Sequence, residues 1–316
     1  MKQFLIKCLV YCGIMLLCSV ALLKVLVMTP DEYCRRSHEV NVLCQIERMK
    51  GIKEPKIIII GGSGCGFGLC SPMISEHFGM LVCNTGTHAD MGLLSQLSIC
   101  KEFVQNGDVV VVIPEYDQYN GQTYLGGSTT LRIFSSVYPT GYELLTFRQQ
   151  LHLLQYVPGA HNHAITSRNS RFDETECNPY SKEALNECGD VECYESRRHQ
   201  VEKKWRTSKM KPQKVQAKVV DALKDYNQFC KGQGATMLLC PPAFKAMDFD
   251  ENEEFIHTIW KSLSESGLPM VSCPDNYRMA DTLHYDTHYH LTYEGVLIRT
   301  NKLIKDLDSA LVVYRK

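Results

Sequence analysis

At 316 residues with 44 % hydrophobic side chains, the chain is long enough for one sizeable core, and its composition excludes a disordered or collagen-like polymer. A formal net charge of −1 excludes a global field that would gather nucleic acid or an anionic membrane. Any charge-driven partner must be met by a local patch.

In chain order, the first element is FLIKCLVYCGIMLLCSVALLKVLVM, residues 4–28, apolar apart from Lys7 and Lys24. As a helix it is long enough to cross a hydrocarbon layer of about 30 Å, with the lysines near its ends snorkelling to the interface. A cleaved signal peptide would have a shorter apolar region and a small-x-small site, whereas this segment runs on into KVLVMTPDEYC. Residues 1–30 are therefore expected to be an uncleaved anchor. Lys2 and Lys7 before the segment are opposed by Lys24, Arg35 and Arg36 after it, and the short N-terminal tail favours a body outside the cytoplasm. Residues 31–54, polar with scattered apolar positions, read as a stalk or short helix leading into a domain at 55–316.

Short, continuously apolar runs follow at 56–60, 81–84, 108–113, 236–240 and 269–272, the pattern of strands covered on both faces. Helix-like stretches lie between and after them at 71–78, 90–105, 214–232, 251–266 and 292–308, the last with Thr292 as its N-cap. This alternation predicts an α/β fold: a doubly wound parallel sheet of about five strands with helices on both faces, a three-layer α/β/α, flavodoxin-like architecture. The gap at 118–213 is too long for a bare loop and predicts an inserted subdomain with a helix at 140–157. Its basic end, 197–218, reads as a solvated face, the alternative being a seat for an anionic polymer or lipid headgroups. Of fifteen cysteines, Cys8, Cys12 and Cys18 fall in the anchor, and Cys83, Cys100 and Cys240 in apolar runs that suit small core residues. Cys177, Cys188 and Cys193 crowd a polar stretch and can form a disulfide if the domain is exported, while no C-x-x-C pair suggests a zinc ribbon.

The turn GGSGCGFG after the first run carries Ser63. Three glycine-loop motifs fail on spacing. A dinucleotide fingerprint counted from Gly62 or Gly64 needs its third glycine at Phe67 or Leu69; a phosphate loop needs lysine where Phe67 follows Gly66; a hydrolase elbow needs glycine where Cys65 stands. What remains is a serine at the carboxyl edge of a parallel sheet, where such folds bind ligands and where backbone N–H groups of a following helix can stabilise an oxyanion. A serine hydroxyl is a weak nucleophile without a base. The segment DTLHYDTHYHLTYEG, 281–295, offers Asp281, His284, Asp286, His288 and His290 just before the last helix. A histidine there, with an aspartate a few residues upstream, can present one ring nitrogen to Ser63 while the carboxylate holds the other. The same histidines with Asp281 or Asp286 could instead ligate a metal, a reading that leaves Ser63 without a role.

GGSGCGFG and DTHYHLTYEG resemble the first and last blocks of the SGNH (GDSL-like) hydrolase superfamily, and the order of elements is similar over roughly 55–117 and 214–308. Within it the chain looks most like the membrane-anchored branch related to teichoic acid D-alanyl-transfer and polysaccharide O-acetylation proteins. That resemblance implies Ser63 as nucleophile, His290 as general base and Asp286 as its orienting carboxylate, with neither cofactor nor metal. Asp286 and His290 are four apart where the superfamily commonly has three, and the helix-entry pattern HLTYEG selects His290. The superfamily's third-block asparagine is replaced by Pro114, Glu115 and Tyr116. Gly64, Asn84, Gly86 and Tyr116 are the expected oxyanion or substrate-binding positions. The resemblance implies a serine esterase or O-acyltransferase for an acylated glycan or polyol at the outer face of a membrane, with a multi-pass membrane O-acyltransferase as partner and no nucleic acid. The alternative is a non-catalytic binding or assembly protein on the same fold.

Overall fold

The computed structural model describes residues 1–169, 177–199, 210 and 214–314. The first helix, α1 (Lys2–Val27), has 26 residues, none buried. At about 1.5 Å per residue it runs about 39 Å, and it is long and apolar enough to cross a membrane.

Residues 31–54, expected as a stalk or short helix, are mostly helical. They form α2 (Glu32–Arg36), a 3₁₀ turn at His38–Val40 and α3 (Asn41–Gly51), and Val42, Ile46 and Met49, on one face at helical spacing, are buried in the main core. Asp31 ties the segment down. Its Oδ1 accepts from Tyr33 N at 3.0 Å, and its Oδ2 accepts from Arg132 Nε at 2.9 Å and lies 2.6 Å from His163 Nδ1. Arg132 also donates to Glu39 at 2.6 Å. The segment is part of the domain because its apolar stripe has nowhere else to be buried.

The remaining elements, in order, are β1 (Lys56–Gly61), α4 (Ser63–Gly66), α5 (Ser71–Phe78), β2 (Leu81–Asn84), α6 (Leu93–Lys101) and β3 (Val109–Ile113). Then come α7 (Ser128–Ser136), α8 (Phe147–Leu153), α9 (Val157–Thr166), α10 (Ala217–Gly232), β4 (Thr236–Leu239) and β5 (Phe244–Lys245). The chain closes with α11 (Ala246–Glu265), β6 (Arg278–Met279) and α12 (Tyr293–Tyr314). The main sheet is parallel with order β2-β1-β3-β4; β5 and β6 form a separate parallel pair. In the main sheet alternate side chains enter opposite cores. Ile58, Ile60, Val110 and Val112 join residues of α3, α6, α10 and α11, while Ile57, Ile59, Val109 and Val111 join Ile74 of α5 and Leu303 and Leu307 of α12. The strands' β-branched runs suit this two-sided burial. Lys56 enters the sheet fully buried because Asp108 accepts from its Nζ and its backbone N, both at 2.9 Å.

Two expected elements change. The fifth strand shrinks to one bridge, Leu239 to Met270. Pro269 brings no N–H to the ladder, and Ser272, at φ 69°, turns the chain out of it. The helix expected at 140–157 begins later, because Thr146 caps α8 by accepting from Gln149 N at 3.3 Å. Pro158 then opens α9 in its first turn. Thr292 caps α12 as expected, its hydroxyl accepting from Gly295 N at 3.3 Å. The basic stretch 197–218 lies largely outside the described residues. Cys177 and Cys193 form a disulfide, and Cys188 is a buried free thiol.

Candidate active site

In the order β2-β1-β3-β4 the connections leave β1 and β3 toward opposite edges, so the switch point lies between their carboxyl ends. Ser63 is two residues beyond the end of β1 and Glu115 two beyond the end of β3. Both line an open cavity of about 480 Å³ together with His88, His288, Tyr289 and His290.

Close backbone packing explains the glycines around Ser63. A Cβ on Gly62 would enter the Glu115 carboxyl, and one on Gly86 would strike Cys65 Cβ and Gly66 N. The turn is held from behind by the buried Arg299 of α12, whose Nη1 donates to Gly64 O. Phe67 N donates to Ser63 O at 2.8 Å, and the Phe67 ring stacks on His290 with centroids 4.0 Å apart. This stack sets the imidazole against the turn that carries the serine.

His290 Nδ1 lies 2.9 Å from Asp286 Oδ1. Tyr180, from the long connection between β3 and β4, donates to Asp286 Oδ2 at 2.5 Å and has its hydroxyl 3.2 Å from His290 Nδ1. Burial lowers the His290 pKa below its usual value, and Asp286 works against that shift. The imidazole is therefore neutral near pH 7 and held by one nitrogen, the state a general base requires. Among the described residues no hydrogen bond joins Ser63 Oγ to His290. His288 lines the same cavity from a more exposed position, 23 % against 6 % for the His290 side chain, and its Nδ1 lies 2.7 Å from Asp248 Oδ2. His284 is buried with neither ring nitrogen hydrogen-bonded, so the three imidazoles have separate surroundings. Among the described residues, the one group whose possible metal donors lie within 4.8 Å of one another is Glu253, His257 and Asp275 on the surface.

The expected oxyanion positions are placed differently. Asn84 is fully buried and spends its amide on Cys65 O at 3.1 Å and Asp190 Oδ1 at 2.8 Å. Its side-chain oxygen accepts from Gly86 N at 3.0 Å, which occupies the Gly86 donor too. The Tyr116 ring is fully buried against Phe244 and does not line the cavity: at this register the side chain after Glu115 turns into the core. Gly64 N, next to Ser63 in the chain, donates to Glu115 Oε1 at 3.1 Å.

Three contributors were not assigned from sequence. Glu115 follows the apolar run VVVVIP directly, so the strand-end rule that singled out Ser63 could have found it. Tyr180 had no such signal. Neither had Arg197, a buried guanidinium that donates to Val191 O at 2.6 Å, Leu291 O at 2.6 Å and Phe67 O. Within the insertion, residues 177–199 are hydrogen-bonded to the carboxyl edge of the sheet, through Tyr180 to Asp286 and through Arg197 to Phe67 and Leu291.

The chain matches no known protein family, no curated protein and no solved structure.

Proposed function

We propose that the chain is an SGNH-type serine esterase or O-acyltransferase, carried by a membrane anchor and acting on acylated cell-envelope or polysaccharide substrates through an acyl-Ser63 intermediate. The observation that carries the reading is the sharing of one cavity, at the switch point of the sheet, by Ser63 and an Asp286-held His290. The apolar clusters on both sheet faces fit the superfamily's three-layer arrangement. In this mechanism Ser63 Oγ attacks the ester carbonyl as His290 Nε2 takes its proton, and His290 returns that proton to the leaving alcohol. Water or a sugar or polyol hydroxyl then receives the acyl group. Treating the full chain in detergent with a fluorophosphonate tests this: wild type should be labelled and Ser63→Ala should not. Equal labelling of both would overturn the serine mechanism.

Tyr180 acts as a positioning residue. Its hydrogen bond draws charge from Asp286, so Tyr180→Phe leaves a carboxylate that holds the imidazolium more strongly. His290 then keeps its proton to higher pH. The acid limb of kcat/KM should move upward, with turnover falling about ten-fold, the scale of one hydrogen bond. An unmoved limb would assign Tyr180 to packing alone.

The domain is proposed to lie outside the cytoplasm, on the side where the Cys177–Cys193 disulfide is stable. Protease added to intact spheroplasts should then degrade the body of the protein, and full protection until lysis would reverse the orientation.

A second reading, a binding or assembly protein of an envelope acylation system, is favoured by one observation. The Gly64 N–H, the natural oxyanion donor beside Ser63, is occupied by the Glu115 carboxyl.

A further inference from the structure

The occupied Gly64 N–H raises a chemical question. A tetrahedral intermediate on Ser63 needs donors aimed at its oxyanion, yet Asn84 and Gly86 are bonded to one another and elsewhere, and Tyr116 does not line the cavity. What stands beside the serine is a carboxyl group with one oxygen on Gly64 N.

We propose that Glu115 is itself the oxyanion donor: a neutral carboxylic acid whose carbonyl oxygen is held by Gly64 N–H and whose hydroxyl is presented to the substrate's carbonyl oxygen. The inference rests on the serine-hydrolase reading and assigns Glu115 as a further catalytic residue of it. In the acylation step the Ser63 Oγ–carbon bond forms as the carbonyl π pair moves to oxygen. The serine proton passes to His290 Nε2, and the oxyanion accepts from Glu115 Oε2–H. Collapse breaks the bond to the leaving alcohol, which takes the proton from His290, and Glu115 ends as it began.

Burial is the main influence on Glu115 and pushes its pKa up to about 7, opposed by the hydrogen bond from Gly64 N. The charged groups that face it are Asp117 from the turn after β3, which raises it further, and Arg299 of α12 and His288 of the preceding loop, which lower it. Below about pH 7 the group is neutral and can donate. Above that it is an anion lying where negative charge must develop, and activity falls. His290 must be unprotonated, so its own limb lies on the acid side, below its usual value. Between these limits the profile is a narrow bell whose alkaline side belongs to Glu115.

The test measures blank-corrected hydrolysis of p-nitrophenyl acetate and the rate of fluorophosphonate labelling from pH 5 to 9, for the full-length wild type, Glu115→Gln, Glu115→Ala and Ser63→Ala. The amide of Glu115→Gln keeps a donor that does not ionise. This variant should stay within about ten-fold of the wild-type optimum and lose the alkaline fall, while Glu115→Ala should drop by about ten- to a thousand-fold. A Glu115→Gln profile identical to wild type, or wild-type rates that climb steadily through pH 9, would overturn the role of Glu115 with Ser63→Ala still inactive. The wild-type profile carries this decision even if a variant folds poorly. Activity or labelling in Ser63→Ala equal to wild type would instead overturn the hydrolase reading, and this inference with it.

Discussion

Ser63→Ala should lower ester turnover by roughly four to six orders of magnitude, with His290→Ala close behind, the range for residues that act as a single nucleophile and base. The reason lies in the site's chemistry. Among the described residues no other hydroxyl stands at the turn after β1, and Cys65, the nearest thiol, is buried and pushed up to about 12 by that burial, which denies it a thiolate. His290 is the cavity imidazole that is both stacked on the serine's turn and held by a buried carboxylate. The double variant Ser63→Ala, His290→Ala should be little worse than either single one, because each alone already removes the same step. Losses that instead multiply would mean that the two side chains work independently. Activity surviving in His290→Ala but lost in a His288 variant would transfer the base to the His288–Asp248 pair.

The largest expected effect on stability is that of Arg197→Ala, at about 3–5 kcal/mol, from several buried carbonyls losing their donors at roughly 1–3 kcal/mol each. The guanidinium is almost wholly buried, with no carboxylate pair among the described residues, and burial pulls its pKa down to about 10. Its compensation comes from the carbonyls of Val191, Leu291 and Phe67, with its charge over the Phe67 ring at 5.3 Å. Leu291 follows His290 in sequence and the Phe67 ring stacks on it, so the variant should also lower ester turnover. Arg197→Lys should recover little, since an ammonium cannot reproduce a planar fork aimed at three acceptors. Urea unfolding of the purified chain measures both; a loss below 1 kcal/mol for Arg197→Ala would show that the segment at 177–199 is anchored by other contacts.

Much of this architecture is legible in the sequence where local pattern and long-range packing agree. Residues 57–60, 82–83, 109–113 and 237–239 of the first four strands are continuous apolar runs, and the sheet buries both faces of each. Thr292 could be read as a cap because its contact is three residues away. Ser63 and His290 line one cavity, with Asp286 Oδ1 2.9 Å from His290 Nδ1, because a strand end and a short loop bring them to the same edge of the sheet. Where sequence reading failed, the deciding contacts are distant. Residues 31–54, readable as a stalk or a short helix, join the core because Val42, Ile46 and Met49 make a buried stripe and Asp31 meets Arg132 and His163 from helices about a hundred residues away. Glu115 lines the cavity while its neighbour Tyr116 is buried in the core, and no periodic rule in the sequence says which of two adjacent side chains turns toward a cavity once a strand has ended. Tyr180 and Arg197 lie in a polar segment whose role appears only when its ends are bonded to Asp286, Phe67 and Leu291.

The central claim is a covalent acyl-serine, and trapping it is the most direct measurement. The full chain in detergent is mixed with p-nitrophenyl acetate, quenched in acid and digested, and the peptide carrying Ser63 is weighed by mass spectrometry. The account predicts an acetyl adduct on Ser63 that accumulates within the first turnovers, is absent from Ser63→Ala, and decays by transfer to solvent water once the ester is spent, faster when a polyol acceptor is added. Steady turnover with Ser63 unmodified, and undiminished in Ser63→Ala, would contradict it.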